Sequence, residues 1–244
     1  MHHRLLLSLL AAIFIPCLGA LASTDTNRER TAAAYLLALG RTPTAAEHDS
    51  AAFAPQSPLT ERIEALRTRL KNDPALATAA SAKAWSDAFG APPTDKASPS
   101  GNKTYTELLQ SHVQQLAAQP AEYRRVIERA YGRVAGRAPH DIEFEYWTQR
   151  AAVPYIALAA CIEHWAQRNA PGLMSTTGEP SISIHSRQLV TLRVSPALAW
   201  EARRAAGLPH ADGWASARER HVIIPGGQEI VAVGGIHFIA VGRD

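Results

Sequence analysis

Apolar residues return along this chain at helical intervals, broken by proline and glycine. Leu59, Ile63, Leu66 and Leu70 mark one helix face at a spacing close to 3.6 residues. Ser57-Pro58 and Asp73-Pro74 each set a capping residue before a proline, whose missing N–H does no harm in a first helical turn. Thr44 and Glu47 offer a capping box to a further helix, so residues 29–90 read as consecutive helices. A second series begins at another potential capping box, Thr104 and Glu107. Tyr123, Val126, Ile127, Ala130, Tyr131 and Val134 then form a face that closes near Gly136. A short helix is predicted from Asp141 to Arg150. The nearly all-apolar stretch from Val153 to Arg168 predicts the most buried helix of its block.

Between the two series, residues 91–104 (APPTDKASPSGNKT) are rich in proline, serine and glycine and carry no periodic apolar positions. This composition predicts a flexible linker. From Glu179 the pattern turns to strands. Ile182 to Val194 is rich in alternating and β-branched residues, and Ser195-Pro196 then starts a helix that Gly207 ends. Three further runs, His221 to Pro225, Glu229 to Val233 and Ile236 to Val241, are joined by Gly226-Gly227 and Gly234-Gly235, the signature of an antiparallel meander. Pairing outward from those turns sets Ala232 opposite His237. The predicted fold is mainly α, with helical repeat-like blocks at residues 23–90 and 105–177. A small α+β unit follows at 178–244, a short antiparallel β-meander with one packed helix.

The two blocks share an internal repeat. Residues 34–47 align without a gap on residues 130–143, matching at Ala34/Ala130, Tyr35/Tyr131, Gly40/Gly136, Arg41/Arg137, Pro43/Pro139 and Glu47/Glu143. A helix that stops at glycine, which tolerates positive φ, and cannot continue through proline predicts a helix corner in each copy. Arg41 and Arg137 then fall at helix C-termini, where a cation meets the negative end of the dipole.

Gly136-Arg137-Ala138-Pro139 followed by Tyr146-Trp147 resembles the GRxPD…GLxYW signature of DUF4214, a bacterial domain family related to phycobilisome linker domains. His140 stands where that pattern has aspartate and Glu143 where it has glycine. The copy around Gly40 lacks the Tyr-Trp pair. The resemblance spans about 50 residues and implies a mostly helical domain of secreted or surface-associated proteins, a scaffolding or adhesion module more than an enzyme.

The first residues place the chain more specifically. A cationic start at Arg4, an apolar run from Leu5 to Leu21 and the small residues Ala20 and Ala22 predict a secretory signal peptide over residues 1–22, cleaved near Ala22. Cys17 leaves with that segment, so Cys161 becomes the single thiol of the mature chain and an internal disulfide is excluded. Its apolar neighbourhood predicts a buried, inert thiol. Loss of Arg4 lowers Lys+Arg from 25 to 24 against 22 acids, a formal charge of +2. Such a balance gives no support to nucleic-acid binding. No later segment is long and apolar enough for a membrane anchor.

Motifs of common secreted chemistries are missing from the sequence: no GxSxG, HExxH, Walker loop or GxGxxG occurs. No catalytic residue, cofactor or metal is therefore assigned. His221 and His237 are kept apart by the middle strand of the predicted meander, too far to share a zinc ion. His140 and Glu143 sit at a helix start, where the acid already has an electrostatic reason to be. One helix concentrates positive charge, with Arg124, Arg125, Arg129 and Arg133 against Glu122 and Glu128. That face is a candidate contact for an anionic envelope polymer. The leading reading is an exported, non-enzymatic interaction or scaffolding protein whose partner is an envelope protein or such a polymer. Its class alternative is a secreted hydrolase of cell-wall or carbohydrate material. Deletion of residues 179–244 is expected to abolish partner capture and leave the helical blocks folded.

Overall fold

The computed structural model describes residues 27–49, 52–93, 101–169, 190–207, 230–233 and 236–240. The proposed signal segment, the expected turns at Gly226-Gly227 and Gly234-Gly235, the run from His221 to Pro225 and linker residues 94–100 lie outside the described residues. Nine helices account for most of what is described. They are α1 (27–39), α2 (Ala45–Asp49), α3 (Leu59–Asn72), α4 (Pro74–Phe89), α5 (Tyr105–Ala118), α6 (Pro120–Val134), α7 (Asp141–Thr148), α8 (Tyr155–Asn169) and α9 (Pro196–Ala205).

Local chemistry accounts for most of the helix ends. The Asp73 carboxylate accepts from the N–H groups of Ala75 and Leu76 at the start of α4. Thr104 and Glu107 close a capping box on α5, and Thr44 and Glu47 close one on α2. At α3 the cap position falls on Pro58, without a side-chain bond, and Ser57 instead lends its carbonyl to Arg62. Gly40, Gly90, Gly136 and Gly207 take φ between 66° and 70°, the left-handed conformation that ends α1, α4, α6 and α9.

α1 is the central helix. Every residue from Ala32 to Leu39 is buried, so it is apolar all round instead of along one stripe. One continuous apolar core joins it to Leu59, Ile63, Leu66 and Leu70 of α3, Leu108 and Leu116 of α5, Val126 and Ile127 of α6 and Leu158 of α8. The same core takes in Leu198, Ala199 and Ala202 of α9. The two helical series thus share an interior. Arg67 of α3 reaches Glu107 of α5 with two bonds of 2.8 Å, tying the start of the second series to the first.

The antiparallel meander expected at the C-terminus is corrected by the strand order. No meander is present among the described residues. Three short strands, β1 (Val190–Val194), β2 (Ile230–Val233) and β3 (Ile236–Ala240), form a small mixed sheet in the order β1-β3-β2. β2 and β3 pair antiparallel with Ala232 opposite His237. On its other edge β3 pairs in parallel with β1, Val190 beside Ile236 and Val194 beside Ala240. A meander joins neighbours in sequence, whereas the centre of this sheet is its last strand. Local turn signals carry no information about that long-range parallel pairing.

α9 lies against this sheet and also reaches α3. Arg30 of α1 pairs with Glu201 of α9 at 3.3 Å, and Gln110 of α5 donates to the carbonyl of Ala206 at 2.5 Å. Removing everything beyond residue 178 would therefore strip side chains from the shared core. The truncation expected to spare the helical blocks would instead open them.

Candidate functional site

The two copies of the repeat build the same corner. Arg41 donates to both carboxylate oxygens of Glu47 at 2.7 and 2.8 Å and to the carbonyl of Thr42 at 3.0 Å. Arg137 donates to both oxygens of Glu143 at 2.8 and 2.7 Å and to the carbonyl of Ala138 at 2.9 Å. In each copy one oxygen of the glutamate also accepts the backbone N–H three residues earlier, Thr44 at 2.9 Å and His140 at 2.7 Å. Each guanidinium stands over the tyrosine of its own motif, Arg41 at 5.3 Å from Tyr35 and Arg137 at 5.5 Å from Tyr131. Pro43 and Pro139 are both buried.

These contacts are charge-assisted and bidentate, the strongest class of side-chain hydrogen bond. The Arg41 guanidinium, against a smaller opposing effect of burial, holds the Glu47 carboxyl down to about 2. Arg137 likewise holds Glu143 below the ordinary range. Glu107 repeats the arrangement with an arginine from a different helix. Burial pushes its carboxyl up, but Arg67 and the Thr104 N–H outweigh that and leave it lowered. These acids are fixed as anions in structural clamps.

The copies differ in one instructive place. Trp147 donates its indole N–H to the Tyr131 hydroxyl at 3.2 Å. The copy around Gly40 has no such tryptophan, and Arg69 of α3 donates to the Tyr35 hydroxyl at 2.8 Å instead. A donor from another helix fills the role of the absent residue.

The basic face of α6 is not a row of bare cations. Arg125 and Arg129 both bond Glu122, at 3.1 and 2.9 Å, and Arg129 also donates to the Phe89 carbonyl at 2.7 Å. Arg124 leans over the Phe144 ring at 4.0 Å and lies 3.8 Å from Glu128. Arg133 is exposed. Cys161, on α8, is half-buried and not enclosed as its neighbourhood suggested.

Two further places stand out. On α7, Ile142 is 75% exposed and Tyr146, one turn on, is 36% exposed. The Arg150 guanidinium lies 3.4 Å from the Tyr146 ring centre, and Trp147 meets that ring edge-on at 5.1 Å. The second place is a cleft of about 420 Å³ between α1, α2 and β1, lined by Arg28, Glu29, Ala32, Ala45, His48 and Leu192. Neither Ile142 nor the pair Glu29 and His48 belongs to a motif, and no local signal in the sequence distinguishes them from ordinary surface residues.

Among the described residues no group of three or more histidine, cysteine, aspartate or glutamate side chains is placed to hold a metal ion. No helix among them is long and apolar enough to cross a membrane. Compared with protein-family models, with curated proteins and with solved structures, the chain matches none.

Proposed function

We propose that this chain is an exported, non-enzymatic interaction or scaffolding protein of the cell envelope, and that α7 presents its docking surface. The reading rests on the stripe formed by Ile142, Tyr146 and Arg150. An isoleucine left three-quarters exposed, beside a tyrosine stacked under an arginine, has the mixture that concentrates binding energy in protein interfaces. The stripe is framed for that use. Trp147 braces the tyrosine from inside, and Thr148 bonds back to the Phe144 carbonyl at 2.8 Å, keeping the short helix wound.

The partner class is an envelope protein with an apolar recess able to take Ile142. This preference over an anionic polymer follows from α6, where Glu122 already engages Arg125 and Arg129. Export is supported by the cationic and apolar start and by the small residues at Ala20 and Ala22. The likeness of residues 136–147 to DUF4214 and phycobilisome linker domains agrees with a scaffolding role.

The test is photocrosslinking from position 142 in the full chain expressed in its own envelope, compared with Ile142→Asp and Tyr146→Ala. A discrete crosslinked protein that competes with unlabelled chain, and that both substitutions lose at unchanged helical content, supports the reading. Retention of the partner by both variants, or no discrete product, overturns it. N-terminal mass analysis of the exported chain reads out processing between Ala22 and Ser23.

A further inference from the structure

The stripe on α7 is not something its helix corner needs. In the register of the repeat, positions 142, 146 and 150 of the second copy correspond to Ala46, Ser50 and Ala54 of the first. The first corner closes the same arginine–glutamate clamp with alanine in place of Ile142. Ile142 and Tyr146 are therefore additions to a shared scaffold, an exposed apolar pair that folding does not explain.

The corner without the stripe carries a recess suited to it. The open cleft between α1, α2 and β1 has a chiefly apolar lining, with walls at Ala32, Ala45 and Leu192. Its volume of about 420 Å³ is ample for a branched aliphatic side chain. Charge is complementary as well. Arg28, which lines the cleft, is exposed, whereas Glu29 beside it is half-buried. On α7 the exposed acids Asp141 and Glu145 flank Ile142, and Arg150 lies two turns away from it, about 12 Å along the helix. Insertion of Ile142 thus carries negative charge towards Arg28 and keeps the arginine of the stripe at a distance.

We infer that α7 docks into the cleft of a second copy of this chain, Ile142 entering between Ala32, Ala45 and Leu192 while Asp141 and Glu145 face Arg28. The inference rests on the docking role proposed for α7 and names its partner. The two surfaces are different parts of one chain, so the contact is heterologous. Every copy that gives its α7 keeps its own cleft available for the next, and the assembly extends by addition of copies or closes into a ring. One short helix in a cleft covers less than about 1,200 Å², the class of weak contacts, so assembly follows concentration.

The experiment measures the mass of the chain purified after export, by sedimentation equilibrium over a series extended to millimolar concentration. Ile142→Asp spoils the inserted side chain and Ala45→Trp obstructs the cleft; both positions are exposed, and circular dichroism establishes that each variant is folded. The unaltered chain is expected to gain mass with concentration. Each variant alone should stay at the mass of one copy, and an equimolar mixture of the two should stop at two copies, because one intact α7 then meets one intact cleft. A single-copy mass for the unaltered chain throughout, assembly unchanged in either folded variant, or a mixture that behaves as the variants do alone overturns the inference. Photocrosslinking from position 142 in the envelope tells that failure from failure of the docking reading. A product with a different protein leaves α7 a docking surface and overturns only the choice of partner, whereas no product overturns both.

Discussion

The ring of Tyr105 lies against Gly40 so closely that a β-carbon on the glycine would fall 2.5 Å from it. Tyr155 covers Gly90 in the same manner, closer still. Each tyrosine is the first residue of its helix and each glycine is the left-handed end of another, so the start of one helix is seated on the stop of an earlier one. Gly136 has the same φ but nothing within 4 Å of its missing side chain. These glycines separate conformational need from steric need.

Gly136→Ala is expected to destabilise the chain by about 1 kcal/mol, the ordinary result of forcing a β-carbon into left-handed backbone. Gly40→Ala carries that penalty and also displaces the Tyr105 ring, whose hydroxyl is anchored to Asp87 at 2.7 Å. A loss of about 3 kcal/mol is expected for it. Urea denaturation of the two variants side by side measures the difference, and equal losses would contradict the seat described above.

Arg62 has no exposed surface, yet no carboxylate bonds it. Its guanidinium donates to Asn27, Thr31, Ala54, Pro55 and Ser57 at 2.7 to 3.1 Å, gathering the loop before α3 onto α1. Arg62→Met keeps much of the volume but abandons those acceptors. It should lower stability by about 3 kcal/mol and make the bonds around Ala54 to Ser57 the first cleaved in limited proteolysis.

The clamp at Glu47 gives a pH dependence of known sign. The carboxyl is held at about 2 in the folded chain and has its ordinary value of 4.5 when released. The unfolded chain therefore takes up the proton first as acid is added. Stability from this pair is complete above pH 4.5 and is lost as pH falls towards 2. Glu47→Gln should flatten that part of the stability profile, read by thermal melts between pH 5 and 2.

His112 works in the next window up. Burial against Trp85 and Phe89, whose rings lie 5.3 and 5.4 Å away, lowers its affinity for a proton below the ordinary 6.5. The unfolded chain again binds the proton first, so stability declines as pH drops from 6.5 towards the lower folded value. Glu47 stays ionised through that range. His112→Phe should remove the decline while retaining the aromatic contact, with Trp85 fluorescence as the reporter.

Residues whose chemistry acts within a few positions were legible before any coordinates. The corners at Gly40 and Gly136, the capping boxes at Thr44 and Thr104 and the Asp73-Pro74 start all depend on neighbours in the chain. What stayed hidden depends on distant partners. Arg62 has the spacing of a core residue but the chemistry of a surface one, and only the loop at 54–57 explains its burial. The strand after Gly235 reads as the edge of a meander until Val190 to Val194 is found on its far side. Arg69 answering for a missing tryptophan is likewise an event between elements.

Arg30 and Glu201 meet across 171 residues of sequence. The central helix α1 is thus made early and finished late, since part of its burial comes from α9. During synthesis, its eight consecutive buried apolar residues have no complete shelter until most of the chain has arrived. A holding chaperone would find its natural grip on Ala32 to Leu39, and release from that grip is coupled to delivery of the C-terminal third.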